Sequence, residues 1–364
     1  MVNEQMTNER YYPLRLQAVQ KEMVWGGRNL ERLVGKSLPP KVLIGETWEA
    51  WDGCIIENGA HQGQKLQDVI AQDPVGLLGT PDARFPLRFK FIDAQNDLSV
   101  QVHPNDAQAQ AMEHYPFGKT EAWYILDAEP NAKLILGFNR SVTRDDILKA
   151  LNDKTLVSLL TFVPVQRGDV IFVPAGTVHA ICKGIVVAEI QENSDITYRF
   201  YDWDRQIKGR ELHIKQSLRV FSGNPVLQPR VPSLTLHHPT FDEQFLVACN
   251  YFLLTMFDVR GRVDGLDTNA KFHIVSVIEA PVTIRFGTNL ASSITAQPGQ
   301  TFLLPAQMGA YAFESARHAK LLRMFVPNLK TDVIERLRAV YSPSEIAKLG
   351  GSIQEHNDLS PLIG

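Results

Sequence analysis

A mainly β fold built from two related β units is the fold class this sequence predicts, and three observations predict it. Short apolar runs rich in Val, Ile and Phe recur between Gly, Pro and Asn punctuation: RFPLRFKFIDA, EAWYILDA, DVIFVPAG, GIVVAEIQ, FLVACNYFLLTMF, FHIVSVIEA and TFLLPAQ. Branched and aromatic side chains in runs of that length favour the strands of a sandwich or barrel. Helical patterns are few. One motif also returns: RGDVIFVPAGTVH (167–179) and PGQTFLLPAQMGA (298–310) share a glycine, an apolar run and Pro-Ala at the same spacing, as a repeated unit would.

Along the chain, LQDVIAQDPVGLLG near residue 66 is a short helical candidate. In LSVQVHPND (98–106), Leu98, Val100 and Val102 alternate with Ser99, Gln101 and His103, the period of a strand with one apolar and one polar face. SVTRDDILKALNDKTLVSLL (141–160) reads as helical, with Ser141 or Thr143 as N-cap and Ile147 and Leu151 spaced for one face. An earlier strand precedes the repeated motif in both halves, TEAWYILDAEP (120–130) and KFHIVSVIEAP (271–281), but the first pair lies further apart by about the length of that helical segment. The first unit therefore carries a helical insertion. This alignment sets Glu121 against Phe272 and His179 against Ala310, so the polar positions belong to the first unit alone. SGNPVLQPRVPS (222–233), dense in Pro and Gly, reads as a linker, and TDVIERLRAVY with SPSEIAKLGG predicts a helical tail.

Composition bounds the function classes. The 364 residues are 44% hydrophobic and 21% charged, which suits a soluble globular chain with a well-buried core. A net charge of −3 gives no electrostatic reason to expect nucleic acid or an anionic membrane as partner. The start MVNEQMTNER is polar and mixed in charge, unlike a signal peptide, and no apolar run has the length of a membrane span. Three scattered cysteines, Cys54, Cys182 and Cys249, suggest a reduced, cytoplasmic setting.

The candidate ligands come from strands. After Gln101 and His103 comes Glu121, whose two-residue neighbours on the same strand face begin with Trp123. In GDVIFVPAGTVHAI, Gly168, Pro174 and Gly176 lead to His179: the Pro-x-Gly makes a tight turn, and the next strand opens on the histidine. This segment resembles the second motif of the cupin superfamily, with Lys183 where many cupins have Asn. The resemblance implies a jelly-roll barrel whose histidine points inward to a metal, joined by ligands from the first-motif strands. One Gln, two His and one Glu give mixed N/O coordination suited to a divalent ion such as zinc acting as Lewis acid, though a carboxamide is a poor metal ligand by itself. His237 and His238, beside Pro239, lack such a frame and read as structural or surface residues.

Four motifs in order, LSVQVHPND, GKTEAWYIL, GDVIFVPAGTVHAI and EIQENSDITYRFYDWDR, together resemble the type I mannose-6-phosphate isomerase family in its short bacterial form. The similarity runs from IGETWEAWDG (44–53) to DWDR (202–205) and more loosely through the second unit. WEAWDG, around Trp51, departs from the family pattern, and the tail beyond about residue 330 is longer than in the short form. The resemblance implies two cupin-type jelly-roll units: a metal-binding catalytic unit at 1–225 with its helical insertion near 141–160, a second unit at 226–330 lacking metal ligands, and a helical tail at 331–364. It implies Gln101, His103, Glu121 and His179 as ligands of one zinc ion per chain, Arg199 in catalysis, and Ser99 and Lys90 on the phosphate side of the pocket. Lys119 sits in the motif leading to Glu121, and Glu189 and Asp195 match acidic positions near the active site.

The activity so implied interconverts mannose 6-phosphate and fructose 6-phosphate through an enediol. Zinc and Arg199 would stabilise the developing oxyanion; Glu189, Lys119 and a zinc-bound water all remain open as the base. Lys90, Lys119 and Ser99 suit a dianionic phosphate. The partner is then a small sugar phosphate, without nucleic acid or membrane, and the sequence assigns no oligomeric state. Two other functions share part of the pattern. A cupin dioxygenase would hold Fe(II) with a similar ligand set but has little need of the nearby lysines and arginine. A non-catalytic sugar-binding or regulatory cupin would bind without turnover, and the chain has no basic DNA-binding module.

Overall fold

The computed structural model describes residues 9–205, 207–351 and 357–363. The polar start read above as no signal peptide begins in residues 1–8, outside the described residues. Four antiparallel sheets form two pairs. In the first, a six-stranded sheet runs in the order Val19–Gly27, Ile44–Ala50, Leu87–Ala94, Ile185–Glu192, Glu121–Ala128, Val170–Val173. Its five-stranded companion runs Tyr198–Tyr201, Val100–Val102, His179–Ala180, Lys133–Phe138, Leu160–Pro164. The second pair has a seven-stranded sheet spanning Leu234–His237 to Ala319–Phe325 and a four-stranded one built from Arg262–Asp267, Ala310–Glu314, Val282–Phe286 and Ser292–Ala296.

The expected strand runs all appear, and the core explains why several lack clean alternation. Along Glu121–Ala128, Trp123 and Ile125 pack inward with Leu134, Leu136 and Ile171. Ala122, Tyr124 and Leu126 pack outward into a cluster shared with the second pair of sheets, including Phe272 and Phe252. A strand covered on both faces reads as a continuous apolar run. The outer face of the five-stranded sheet is covered instead by helices. Arg144–Asn152 is capped by Thr143, not Ser141: the Thr143 side chain accepts from Asp146 N–H while Asp146 reaches back to the Thr143 N–H, a capping box. Ile147 and Ala150 of this helix and Val220 of Ile214–Val220 are buried against Val100, Val102 and Tyr198.

Chain order and sheet membership part company at one place. The strand Leu14–Leu16, which precedes the whole first unit, adds to the edge of the seven-stranded sheet, with Leu14 opposite Leu303 and Leu16 opposite Thr301. Residues 222–233 carry no helix or strand and lead from the first pair of sheets to the second. The tail packs: Val333, Leu337, Ile346 and Leu349 enter the shared core, and Pro343–Ala347 begins with a Ser342–Glu345 capping box.

Candidate active site

Two rows of side chains, one from each sheet of the first pair, build the site. On the six-stranded sheet, Trp48 lies opposite Lys90, Lys90 opposite Glu189, and Glu189 opposite Trp123. These successive partners share one face of a twisted sheet, and all four line a cavity of about 390 Å³. On the five-stranded sheet, Arg199 lies opposite Gln101 and Gln101 opposite His179. Ser99 and Gln101 line the cavity, while Val100 and Val102 turn to the helices behind. The alternation in LSVQVHPND thus separates a cavity face from a core face.

His103, Glu121 and His179 converge, their ligand atoms all within 4.8 Å of one another. The turn before His179 depends on Gly176, whose φ of +87° suits glycine and where a Cβ would stand 3.0 Å from the Val220 carbonyl. His103 Nδ1 bonds the Ile196 carbonyl and His179 Nδ1 the Thr177 carbonyl, each at 2.8 Å. A carbonyl only accepts, so each Nδ1 carries a proton and each Nε2 is the ring nitrogen turned to the cluster. His179 Nε2 lies 3.1 Å from Glu121 Oε1 and His103 Nε2 lies 3.7 Å from Oε2. Burial, then Lys119, holds the His103 pKa well below the usual imidazole value. Burial would raise Glu121, but nearby charge, that of Lys119 first, more than offsets it and holds its pKa well below the usual carboxylate value. Both Glu121 oxygens are buried without a hydrogen bond.

Two imidazole Nε2 atoms and a buried carboxylate converge here with the Lys119 ammonium as their neighbouring cation, and such a set of buried donors can also be joined by a metal cation. The donor set fits a borderline divalent ion such as zinc. Gln101 Nε2 lies 3.3 Å from His179 Nε2, and Gln101 Oε1 accepts from Ser99 Oγ at 3.4 Å; a half-turn of the carboxamide would present the oxygen to the cluster instead. Lys119 Nζ stands beside it, 3.0 Å from both Glu121 Oε2 and His103 Nε2.

The remaining expected residues fall around this centre. Lys90, expected at the phosphate, is buried with its ammonium 3.1 Å from Glu189 and 3.8 Å from Glu46. Burial alone would lower its pKa; Glu189, Glu46 and Glu121 reverse this and keep it charged. Burial, then Glu121, pushes the Glu189 pKa up to about 7. Arg199 is half-buried, its Nη1 reaching only the Glu211 carbonyl at 3.4 Å. Asp195 lines the cavity mouth, exposed and paired with Arg88 at 3.2 Å. His237 and His238 lie far along the chain in the second unit, one exposed beside Asp242 and the other stacked on Phe241.

Sequence reasoning missed Lys21, Trp25, Glu46, Trp48 and His213, which also line the cavity. A signal was present: Lys21, Met23 and Trp25, and likewise Glu46 and Trp48, recur at the strand period. Trp51, singled out above, stands behind the site with its ring edge-on to Trp48 at 5.1 Å.

A second tier fixes the segment that delivers Lys119 and Glu121. Gly118 N–H donates to Asp106 Oδ1 at 2.6 Å and Thr120 N–H to Glu192 Oε1 at 2.7 Å. Burial, then a hydrogen bond with Asp106, pushes the Glu192 pKa up to about 9, so at neutral pH Glu192 holds the proton that joins the two carboxyl groups. A folded value above the ordinary 4.5 means that this contribution to stability is complete below about pH 4.5 and declines as pH rises towards about 9. Glu192→Gln, which can donate to Asp106 and accept from Thr120 without titrating, is expected to flatten the fall in melting temperature between about pH 6 and about pH 9. Wild-type and variant curves running parallel across that range would count against the shared proton.

The second unit repeats this scaffold without the cluster. His273 lies opposite Leu304 as Glu121 lies opposite Val173, with Pro305 and Pro174 following in turn. His273 therefore stands at the place of Glu121, one residue beyond the Phe272 given by sequence alignment. Arg323, opposite Val275, stands where Glu189 stands opposite Trp123. His273 Nδ1 meets the Tyr311 hydroxyl at 2.8 Å, and Arg323 donates to Tyr311 at 3.3 Å and to buried Glu243 at 2.7 Å. Arg336 of the tail joins Glu243 at 3.0 Å. This paired network of charges borders a smaller cavity of about 170 Å³ lined by His273, Arg323 and Arg336, and among the described residues the convergent metal-ligating group is the one in the first unit.

A family model described as phosphomannose isomerase type I, catalytic domain, matches residues 14–134. Mannose-6-phosphate isomerase ManA of Bacillus subtilis is 36% identical over 324 residues, which span 85% of this chain and 97% of that protein. Mannose-6-phosphate isomerase of Streptococcus mutans is 32% identical over 311 residues, 83% of this chain and 95% of that one. The crystal structure of the mannose 6-phosphate isomerase from Bacillus subtilis matches with a TM-score of 0.77 at 30% identity, covering 86% of this chain and 99% of the other.

Proposed function

The chain belongs to the type I mannose-6-phosphate isomerase family, and from that premise we propose that it interconverts mannose 6-phosphate and fructose 6-phosphate through an enediol, with one zinc ion per chain. The observation that carries this reading is the pair of facing rows, Arg199 and Gln101 on one sheet and Lys90 and Glu189 on the other, around one cavity, with His179 opposite Gln101. His103, Glu121 and His179 would hold the ion, with Gln101 turned to offer its oxygen. When bound, zinc supplies a Lewis acid for the sugar oxygens next to the reacting carbons.

The protein's own groups supply the rest. Glu189, poised at about 7, can take a proton from one carbon and return it to the next near neutral pH. Lys90, held charged at 3.1 Å, steadies the ionised form of Glu189 and so acts on the proton carrier rather than on phosphate. Arg199 aims a planar donor at the oxygens that gain charge in the enediolate. Ser99 remains a hydroxyl donor to substrate from the same face as Gln101, and exposed Asp195 flanks the entrance. All of these groups come from the first pair of sheets, so we assign catalysis to residues 1–225. The three cysteines are buried and unpaired, which supports a reducing, cytoplasmic setting.

Turnover in deuterated water tests the reaction class. The expected result is conversion of mannose 6-phosphate to fructose 6-phosphate with solvent deuterium entering at C1 or C2 and no oxygen consumed. Oxygen uptake with bound iron would favour the dioxygenase, and binding without turnover the sugar-binding cupin.

A further inference from the structure

We propose that Lys21 is a substrate-binding residue, the ammonium that meets the phosphate of the sugar phosphate, carried on the indole face of Trp48. This deepens the isomerase reading and rests on it. A phosphate dianion is held by cations whose hydrogen-bonding capacity is free for it, and most cations of the cavity are committed elsewhere. Lys90 is taken by Glu189 and Glu46, and Lys119 by Glu121 and His103. Arg210 is taken by Asp202, at 2.8 and 3.0 Å. Arg199 has no carboxylate ion pair among the described residues but is assigned to the reacting carbons.

Lys21 is the lysine left over. It lines the cavity, is half-buried, and has no hydrogen bond or ion pair among the described residues. Its backbone lies opposite Glu46, yet Glu46 is engaged by the Trp48 indole N–H at 2.7 Å and by Lys90, so the carboxylate does not hold the Lys21 ammonium. That ammonium instead rests 4.4 Å from the Trp48 ring, whose indole also lies 4.1 Å from the Arg88 guanidinium. A cation over an aromatic face is positioned without being neutralised. The strand period supports the assignment. Lys21 and Trp25 share the cavity face of the edge strand Val19–Gly27, while Glu22 and Val24 turn outward to solvent.

Steady-state kinetics of the zinc-loaded enzyme with mannose 6-phosphate, and competition by inorganic phosphate, test the assignment. Lys21→Met is expected to raise KM by about 10–100-fold, the scale of one charge-assisted hydrogen bond, with kcat within about three-fold of wild type. The inhibition constant of inorganic phosphate should rise in parallel, and Lys21→Arg should restore both to within a few-fold. Unchanged KM and phosphate inhibition in Lys21→Met overturn the proposal, as does equal loss in Lys21→Met and Lys21→Arg, which would mark packing on Trp48 rather than charge. Wild-type turnover separates the two readings: if the wild type isomerises the sugar and Lys21→Met behaves like it, only Lys21 is misassigned. If the wild type does not turn over, calorimetric binding of mannose 6-phosphate decides. Weaker binding to Lys21→Met supports the phosphate contact, and equal binding removes it.

Discussion

Arg199→Ala is expected to fold, keep its metal and bind substrate within a few-fold of wild type, while kcat falls by about 10²–10³, the scale of losing one oxyanion donor. The structural alternative, that Arg199 merely neutralises a neighbouring carboxylate, finds no ion pair to Arg199 among the described residues. Asp202 is held by Arg205 and Arg210, and Asp195 by Arg88. The Arg199 Nε is buried without a hydrogen bond, and burial, then Arg210, lowers the guanidinium pKa. A half-buried cation beside another cation, with no carboxylate bonded to it among the described residues, is arranged for a charge that arrives with the reaction. Its backbone is independent of the side chain, with the Arg199 N–H donating to His213 Nδ1 at 3.2 Å and the strand pairing with Gln101. Arg199→Lys should recover little, because an ammonium cannot reproduce the planar fork. The split between kcat and KM checks the role: a normal kcat with a raised KM would make Arg199 a phosphate anchor.

What the sequence made legible follows from periods and short motifs. The two-residue period of LSVQVHPND already separates Ser99 and Gln101 from Val100 and Val102, and the Pro-x-Gly turn already aims His179. Cross-strand partnership is different. Nothing near Lys90 says that Glu189 lies opposite it or that Glu46 shares its ammonium, because those contacts join strands 99 and 44 residues away. For the same reason the engagement of Lys90 by two carboxylates, and the place of Lys21 on the Trp48 ring, are not legible from the sequence. The repeat alignment fails by one residue at Phe272 because Phe272 and His273 are both buried. A slip of one exchanges the two faces of a strand, and only the pairing with Leu304 fixes it. The strand Leu14–Leu16 was equally hidden, since a short edge strand carries no mark of the distant sheet it joins.

Removing the metal is expected to have the largest effect, a loss of activity of about 10³-fold or more, corresponding to about 4 kcal/mol or more of transition-state stabilisation. His179→Ala should show the same loss without rescue. It leaves His103, Glu121 and the weakly donating carboxamide of Gln101, a set with a single imidazole to hold the ion. His103 and His179 are each fixed by a carbonyl at 2.8 Å, so the site is pre-formed and should refill readily once zinc returns. Titration of the chelated wild-type protein with zinc, read as the rate of fructose 6-phosphate formation, tests the central claim most directly. The predicted result is a rate that climbs from near zero in proportion to added zinc and stops at one equivalent per chain. Full activity in the metal-free protein, or a rate that keeps climbing to two equivalents, would contradict it.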